Sequence, residues 1–275
     1  CENELNPNGE YRESYAVNCL LRCDATTQYV TLTKSYLPDE SDPYSYTTDP
    51  FVHGADVKIY NGSEFIQFRD TTFEYFDSLR YKTKKSVYYA KNFQPENNTN
   101  YEINVQIPNG RKLKGVTTSP LTVEFIKLTS SLLINEAKEL YSYYWKTSDN
   151  NTVYVPRLTF TYYKTVNGVK TRGIKSIPVR YEIVNGVDKP IYPQPDKKPY
   201  IHFDGAALKK AFDEISANDP NKWNYSIVSS TRFELLVLDM NLSAYYSTSN
   251  SSYGEFSVKL DESVYSNITN GFGIF

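Results

Sequence analysis

Apolar and polar positions alternate with a period of two along much of the chain. In Tyr101-Glu-Ile-Asn-Val-Gln-Ile107, the residues Tyr101, Ile103, Val105 and Ile107 share one face of a strand, and Glu102, Asn104 and Gln106 share the other. Pro108-Asn-Gly110 turns this strand, Arg111 to Thr118 returns, and Ser86-Val-Tyr-Tyr-Ala90 supplies another strand before them. Val57-Lys-Ile-Tyr60 and Phe65-Ile-Gln-Phe68 flank Asn61-Gly62, a strong hairpin signal. Glu10 to Arg22 and Gln28 to Tyr36, on either side of Asp24-Ala-Thr-Thr27, predict an opening hairpin. Short strands at this spacing, about seven by Thr118, predict an antiparallel sandwich of the immunoglobulin or fibronectin type over residues 11–120. No Cys…Trp…Cys pattern marks it as a true immunoglobulin domain. Ser119-Pro120 is the expected boundary.

Residues 121–275 read as a second, β-rich α+β domain with one or two short helices, so the fold class is mostly β. Ser131 to Leu140 carries apolar residues at helical spacing, whereas Tyr141-Ser-Tyr-Tyr-Trp-Lys146 reads as strand. Val153 to Tyr163, Val169 to Lys175 and Ile177 to Val184, punctuated by Asn167-Gly168 and Asn185-Gly186, predict a three-stranded meander. Pro190, Pro193, Pro195 and Pro199 predict an extended linker or loop. Asp204 is the expected N-cap for a helix whose stripe of Leu208, Ala211, Phe212 and Ile215 reads as core. Phe233 to Leu238 reads as a buried strand, and Met240 to Tyr246 as a short helix running into a Ser/Asn-rich loop.

Composition agrees with β structure: 26 Tyr and 14 Phe stand against one Met, a bias toward residues that suit pleated, half-buried surfaces. A net charge of −2 with both signs interspersed offers no basic face of the kind that nucleic acid requires, so no nucleic-acid partner is expected. No run approaches the roughly 20 apolar residues of a membrane helix. Residue 1 is Cys, followed by a polar Pro- and Gly-containing stretch to Gly9. A Cys in that setting predicts a lipid anchor, with residues 1–10 as a tether that brings the body to a membrane. Val17, Cys19, Leu21 and Cys23 share one strand parity. Four residues of strand span roughly 13 Å, beyond the roughly 7 Å a disulfide bridges, so Cys19 and Cys23 are expected as two buried free thiols.

Candidate chemistry is sparse. The two histidines, His53 and His202, sit far apart in sequence, and no nucleophile elbow, phosphate-binding Gly loop or zinc motif is present. No enzymatic activity, metal or cofactor is therefore expected. His202 beside Asp204 is the best-placed exception, and Asp213-Glu214 reads as a solvated pair. Leu37 to Pro50 reads as a surface loop, and its Asp39, Glu40, Asp42 and Asp49 lack the spacing of a Ca²⁺ loop. Aromatic clusters carry more. Tyr44 and Tyr46 in that loop, Tyr143 and Trp145 within the Tyr141–Trp145 run, and Tyr245-Tyr246 are the candidate binding residues, suited to stacking on a sugar or anchoring a partner.

Ser263-Val-Tyr-Ser-Asn-Ile-Thr-Asn-Gly-Phe-Gly-Ile-Phe275 resembles the N-I-x-x-G-x-G-I-F ending of Bacteroidetes-type surface lipoproteins of domain-of-unknown-function family four-two-four-nine. Leu238 to Tyr246, Tyr15 to Tyr36 and Gly54-Ala-Asp-Val-Lys-Ile-Tyr60 are similar to further family segments. The resemblance implies a lipoprotein of the outer membrane or cell surface, attached through a lipid on Cys1 and working beside an outer-membrane nutrient transporter. The reading that follows is a non-enzymatic binding or accessory protein with a carbohydrate or peptide ligand. The alternative is an adhesin-like or structural surface module that meets protein partners. Gly271 and Gly273 read as structural, permitting a tight turn or close backbone packing.

Overall fold

A computed structural model describes residues 12–36, 49–73, 85–127, 140–147, 152–217, 219–249 and 265–275. Its strands are β1 (Tyr15–Asn18), β2 (Thr27–Lys34), β3 (Asp56–Asn61), β4 (Glu64–Phe73), β5 (Lys85–Lys91), β6 (Asn100–Gln106), β7 (Lys112–Thr118), β8 (Phe125–Lys127) and β9 (Leu140–Trp145). They continue as β10 (Tyr154–Val166), β11 (Val169–Ser176), β12 (Arg180–Val184), β13 (Val187–Ile191), β14 (Tyr200–Asp204), β15 (Tyr225–Val237), β16 (Ile268–Thr269) and β17 (Phe272–Ile274). Helix α1 spans Gly205–Asp213 and α2 spans Met240–Ser249. The chain is mostly β, as its alternation predicts. It forms two compact units, one running to Leu121 and resuming at Asp239, the other Thr122–Leu238.

The first unit is a single hydrogen-bonded series, β16-β7-β6-β3-β4-β5-β2-β1-β17. Strand β4 explains its continuity: residues 64–68 pair with β3, and residues 69–73 pair with β5. Reading outward from β4, the neighbours β5-β2-β1 and β3-β6-β7 reproduce the two sheets of an immunoglobulin-type sandwich. A second hallmark is a tyrosine corner. Tyr101, buried at the start of β6, accepts a 2.8 Å hydrogen bond at its hydroxyl from Glu96 N in the preceding connection. Val17, Val30, Leu32, Val57, Ile59 and Ile103 meet inside, the inward half of each alternating strand.

Residues 265–275 complete this unit. β16 pairs antiparallel with β7, and β17 pairs parallel with β1, so one short turn at Asn270-Gly271 joins the two outermost strands into a near-barrel. Assignment of all of 121–275 to one domain is corrected here, because these pairings return Asp239–Phe275 to the first unit. The β1–β17 pair adds one parallel pairing to the expected antiparallel sandwich. The glycines are where the packing requires them. Gly273 has φ +113°, and a Cβ there would lie 1.9 Å from Val17 O. A Cβ on Gly271 would lie 2.8 Å from Tyr15 O.

The second unit packs sheet β14-β9-β8 and sheet β11-β10-β15 around Tyr141, Tyr143, Trp145, Tyr154, Leu158, Phe160 and Phe203. Tyr143 stacks on Phe233 at 4.1 Å between centroids, and α1 closes the core with Leu208, Ala211 and Phe212. The predicted meander is corrected. Pro178 interrupts the chain after β11, β12 pairs with β13 in a separate hairpin, and β15 takes the third place beside β10. Pro190 thus lies in a strand, which a two-stranded hairpin tolerates because each strand has a free edge. The turns at Asn167-Gly168 and Asn185-Gly186 have both residues at positive φ, as type I′ hairpins require. At Asn61 the register shifts by one, since Asn61 pairs with Glu64 and the turn is Gly62-Ser63. Asp204 occupies the N-cap position of α1, although its side chain makes no capping bond. The expected helix at 131–140 lies outside the described residues except for Leu140, which opens β9.

Candidate functional site

Strand β9 sends Tyr141, Tyr143 and Trp145 inward and Leu140, Ser142 and Tyr144 outward. Tyr143 (3% exposed) and Trp145 (1% exposed) are therefore core residues and not the ligand platform expected of them. Burial pushes the Tyr143 phenol up to about 12, opposed by its hydrogen bond with Thr231. Tyr144, 40% exposed, is the member of that run which reaches solvent. Beside it, β14 alternates in the same way, with Phe203 buried and Tyr200, His202 and Asp204 on the outer face. The antiparallel register sets Tyr144 opposite Tyr200, Ser142 opposite His202, and Leu140 opposite Asp204.

The rings of Tyr144, Tyr200 and His202 form one cluster on this face. Tyr200 lies 5.1 Å from His202 and 6.1 Å from Tyr144, both tilted, and Tyr144 meets His202 edge-on at 6.0 Å. Ser142 Oγ and His202 Nδ1 share a hydrogen bond of 2.7 Å, which fixes the imidazole. Exposed Leu140 and Ile126 of β8 add an apolar margin. The result is a shallow aromatic surface with hydroxyl and imidazole groups among its rings, suited to stacking on the C–H face of a sugar or on a planar group while bonding its polar edge.

Among the described residues no carboxylate pairs with His202, whose ring shares its hydrogen bond with Ser142. Among the described residues, no three His, Cys, Asp or Glu side chains converge on a metal position.

His53 lies in the first unit, its Nδ1 3.0 Å from Asp70 Oδ2, while Gly54 N donates to the same oxygen at 2.9 Å. It borders a cleft of about 290 Å³ with Tyr15, Lys34, Phe51 and Asn109. This pair braces the chain entering β3. Cys19 is buried and Cys23 half-buried, both as free thiols. They do not share a strand face, because β1 ends at Asn18. Tyr245 and Tyr246 are exposed on α2 with rings edge-on at 5.8 Å. Cys1, Tyr44 and Tyr46 lie outside the described residues, as do Asp39, Glu40 and Asp42. Asp49 Oδ1 accepts from Phe51 N.

A polar network ties α2 to residues 265–275. Asp239 Oδ1 caps α2 through Leu242 N at 2.9 Å, and its other oxygen accepts from Thr117 Oγ1. Asn241 donates to Val116 O and accepts from Tyr265 Oη. Asn267 donates to Phe275 O and accepts from Phe275 N at 2.9 Å. Asn267, Ile268, Gly271, Gly273, Ile274 and Phe275 thus all act in closing the first unit, and these are the residues of the ending noted in the sequence. The family described as "Domain of unknown function (DUF4249)" matches residues 2–275. The chain belongs to this family. No curated protein and no solved structure significantly matches this DUF4249 chain.

Sequence reasoning missed Tyr200 and undervalued Tyr144. The signal was present, since Ser142 and His202, the polar members of their strands, mark the outward parity that Tyr144 and Tyr200 share.

Proposed function

We propose that this DUF4249 protein is a lipid-anchored binding protein of the cell envelope that serves an outer-membrane nutrient transporter and holds a carbohydrate on the outer face of β9 and β14. The observation that carries the binding role is the exposed Tyr144–Tyr200–His202 cluster, held at fixed spacing by a paired sheet. The resemblance to Bacteroidetes-type surface lipoproteins supports both the anchor and the outer-membrane setting. No helix among the described residues is long and apolar enough to cross a membrane.

The test is calorimetric titration of the full chain with a panel of oligosaccharides and peptides, for wild type and Tyr144→Ala/Tyr200→Ala. Saccharide binding weakened about tenfold or more in the double variant is expected, since each stacked ring contributes roughly 0.5–1.5 kcal/mol beyond its buried area. A saccharide bound equally by both proteins would remove this face from the mechanism. A peptide bound in place of a sugar would change the ligand class.

The second reading, a surface module with protein partners, draws on β11, an eight-residue edge strand with exposed Lys170 and Arg172. Such cations more often block strand addition than invite it, so this reading ranks below the first.

A further inference from the structure

Trp223 is 99% exposed. It projects from a single turn of 3-10 helix, Lys222–Asn224, that packs against β10 just before β15. The turn is braced. Asp219 accepts from Asn221 N at 2.9 Å and from Tyr225 Oη at 3.0 Å, and pairs with Lys164 Nζ at 3.0 Å. Register places the β10–β11 hairpin tip at the same end of the sheet. Lys164 pairs with Tyr225, and two residues further along β10 Val166 pairs with Val169. Both valines are exposed across the Asn167-Gly168 turn. One end of this sheet therefore presents a Trp and two Val side chains to solvent.

The charges around that tip have one predominant sign. Residues 162–172 and 219–227 contain Lys164, Lys170, Arg172 and Lys222 against a single carboxylate, Asp219, which Lys164 already engages. Lys170, Arg172 and Lys222 are exposed. Tryptophan prefers the membrane–water interface, where its ring enters the acyl boundary and its N–H stays hydrated. Cations just behind it meet anionic headgroups.

We propose that this tip docks on an anionic lipid bilayer, with Trp223, Val166 and Val169 entering the headgroup region and Lys170, Arg172 and Lys222 meeting lipid phosphates. The contact is separate from any lipid on Cys1, so the probe is the full chain without acylation.

The chain has two tryptophans, and Trp145 is buried, so vesicle-dependent change in Trp emission and in its quenching reports Trp223. The experiment titrates wild type, Trp223→Ala and Lys170→Glu/Lys222→Glu with phosphatidylglycerol-containing vesicles and with pure phosphatidylcholine vesicles, and repeats the titration by co-sedimentation. Expected are a blue shift, quenching by lipid-borne quenchers, and partitioning that falls on the order of tenfold in Trp223→Ala and more than fivefold in the double charge variant or at high salt. Unchanged near-ultraviolet circular dichroism in Trp223→Ala would show that the fold is intact. Trp223 that stays water-quenchable at saturating anionic lipid overturns the proposal, as does equal binding to neutral vesicles. Loss of a protein partner in Trp223→Ala without any vesicle binding would make the tip a protein contact instead.

Discussion

Gly273→Ala tests the closure of the first unit. The native φ of +113° costs a side-chain-bearing residue about 1–3 kcal/mol. The added methyl would also sit 1.9 Å from Val17 O and 2.7 Å from Val17 C. Because these are backbone atoms, no rotamer change relieves the clash, and β17 must move away from β1. That movement strains the three paired positions of Ala16–Asn18 with Phe272–Ile274 and the 2.9 Å bond from Cys19 N to Ile274 O, each bond worth about 0.5–1.5 kcal/mol net. It also uncovers part of Ile274 and Phe275, whose full exposure would cost about 1.5–3 kcal/mol each. A loss of roughly 3–5 kcal/mol follows, a large share of the roughly 5–15 kcal/mol that stabilises a domain. Urea unfolding followed by far-ultraviolet circular dichroism measures it, with Phe272→Ala, an exposed position in the same strand, as the control. A Gly273→Ala midpoint equal to that of Phe272→Ala would refute the reasoning.

Three further outcomes are expected. Tyr101→Phe, which removes the hydroxyl that accepts from Glu96 N, should destabilise the first unit by about 0.5–1.5 kcal/mol in the same assay. Trp145→Ala should cost about 3–5 kcal/mol while Tyr144→Ala stays within about 1 kcal/mol, a contrast that calorimetric melting would show. Tyr143 is neutral in the fold to about 12, well above an ordinary phenol, so its contribution is complete below the ordinary tyrosine range and is lost as pH rises from there through about 12. Tyrosinate absorbance should therefore show a late-titrating phenol that Tyr143→Phe removes.

The first unit was legible because its strands have one wet and one buried face, so Tyr101, Ile103 and Val105 announce a strand without knowledge of its partners. What stayed hidden depends on contacts distant in sequence. Nothing local in Ile268 or Phe272 says that they pair with Gly115 and Ala16, though the two glycines signalled close packing. In the second unit, Asn167-Gly168 fixed the β10–β11 hairpin, but the arrival of β15 beside β10 could not be read from either strand. The candidate site was half visible. Alternation sorts the run 140–145 into inward and outward residues, and the polar Ser142 gives the sense of that sorting, yet the pairing of β9 with β14 that brings Tyr200 and His202 beside Tyr144 is a tertiary event. Trp223 carried no pattern at all, standing alone in a polar turn.

The lipid anchoring proposed above is tested most directly by the intact mass and membrane fractionation of the product of the full gene, wild type beside Cys1→Ala. A diacyl or triacyl mass on Cys1 is expected, with a membrane-bound protein that the substitution releases from covalent lipid. An unmodified Cys1, with wild type and variant fractionating alike, would contradict it.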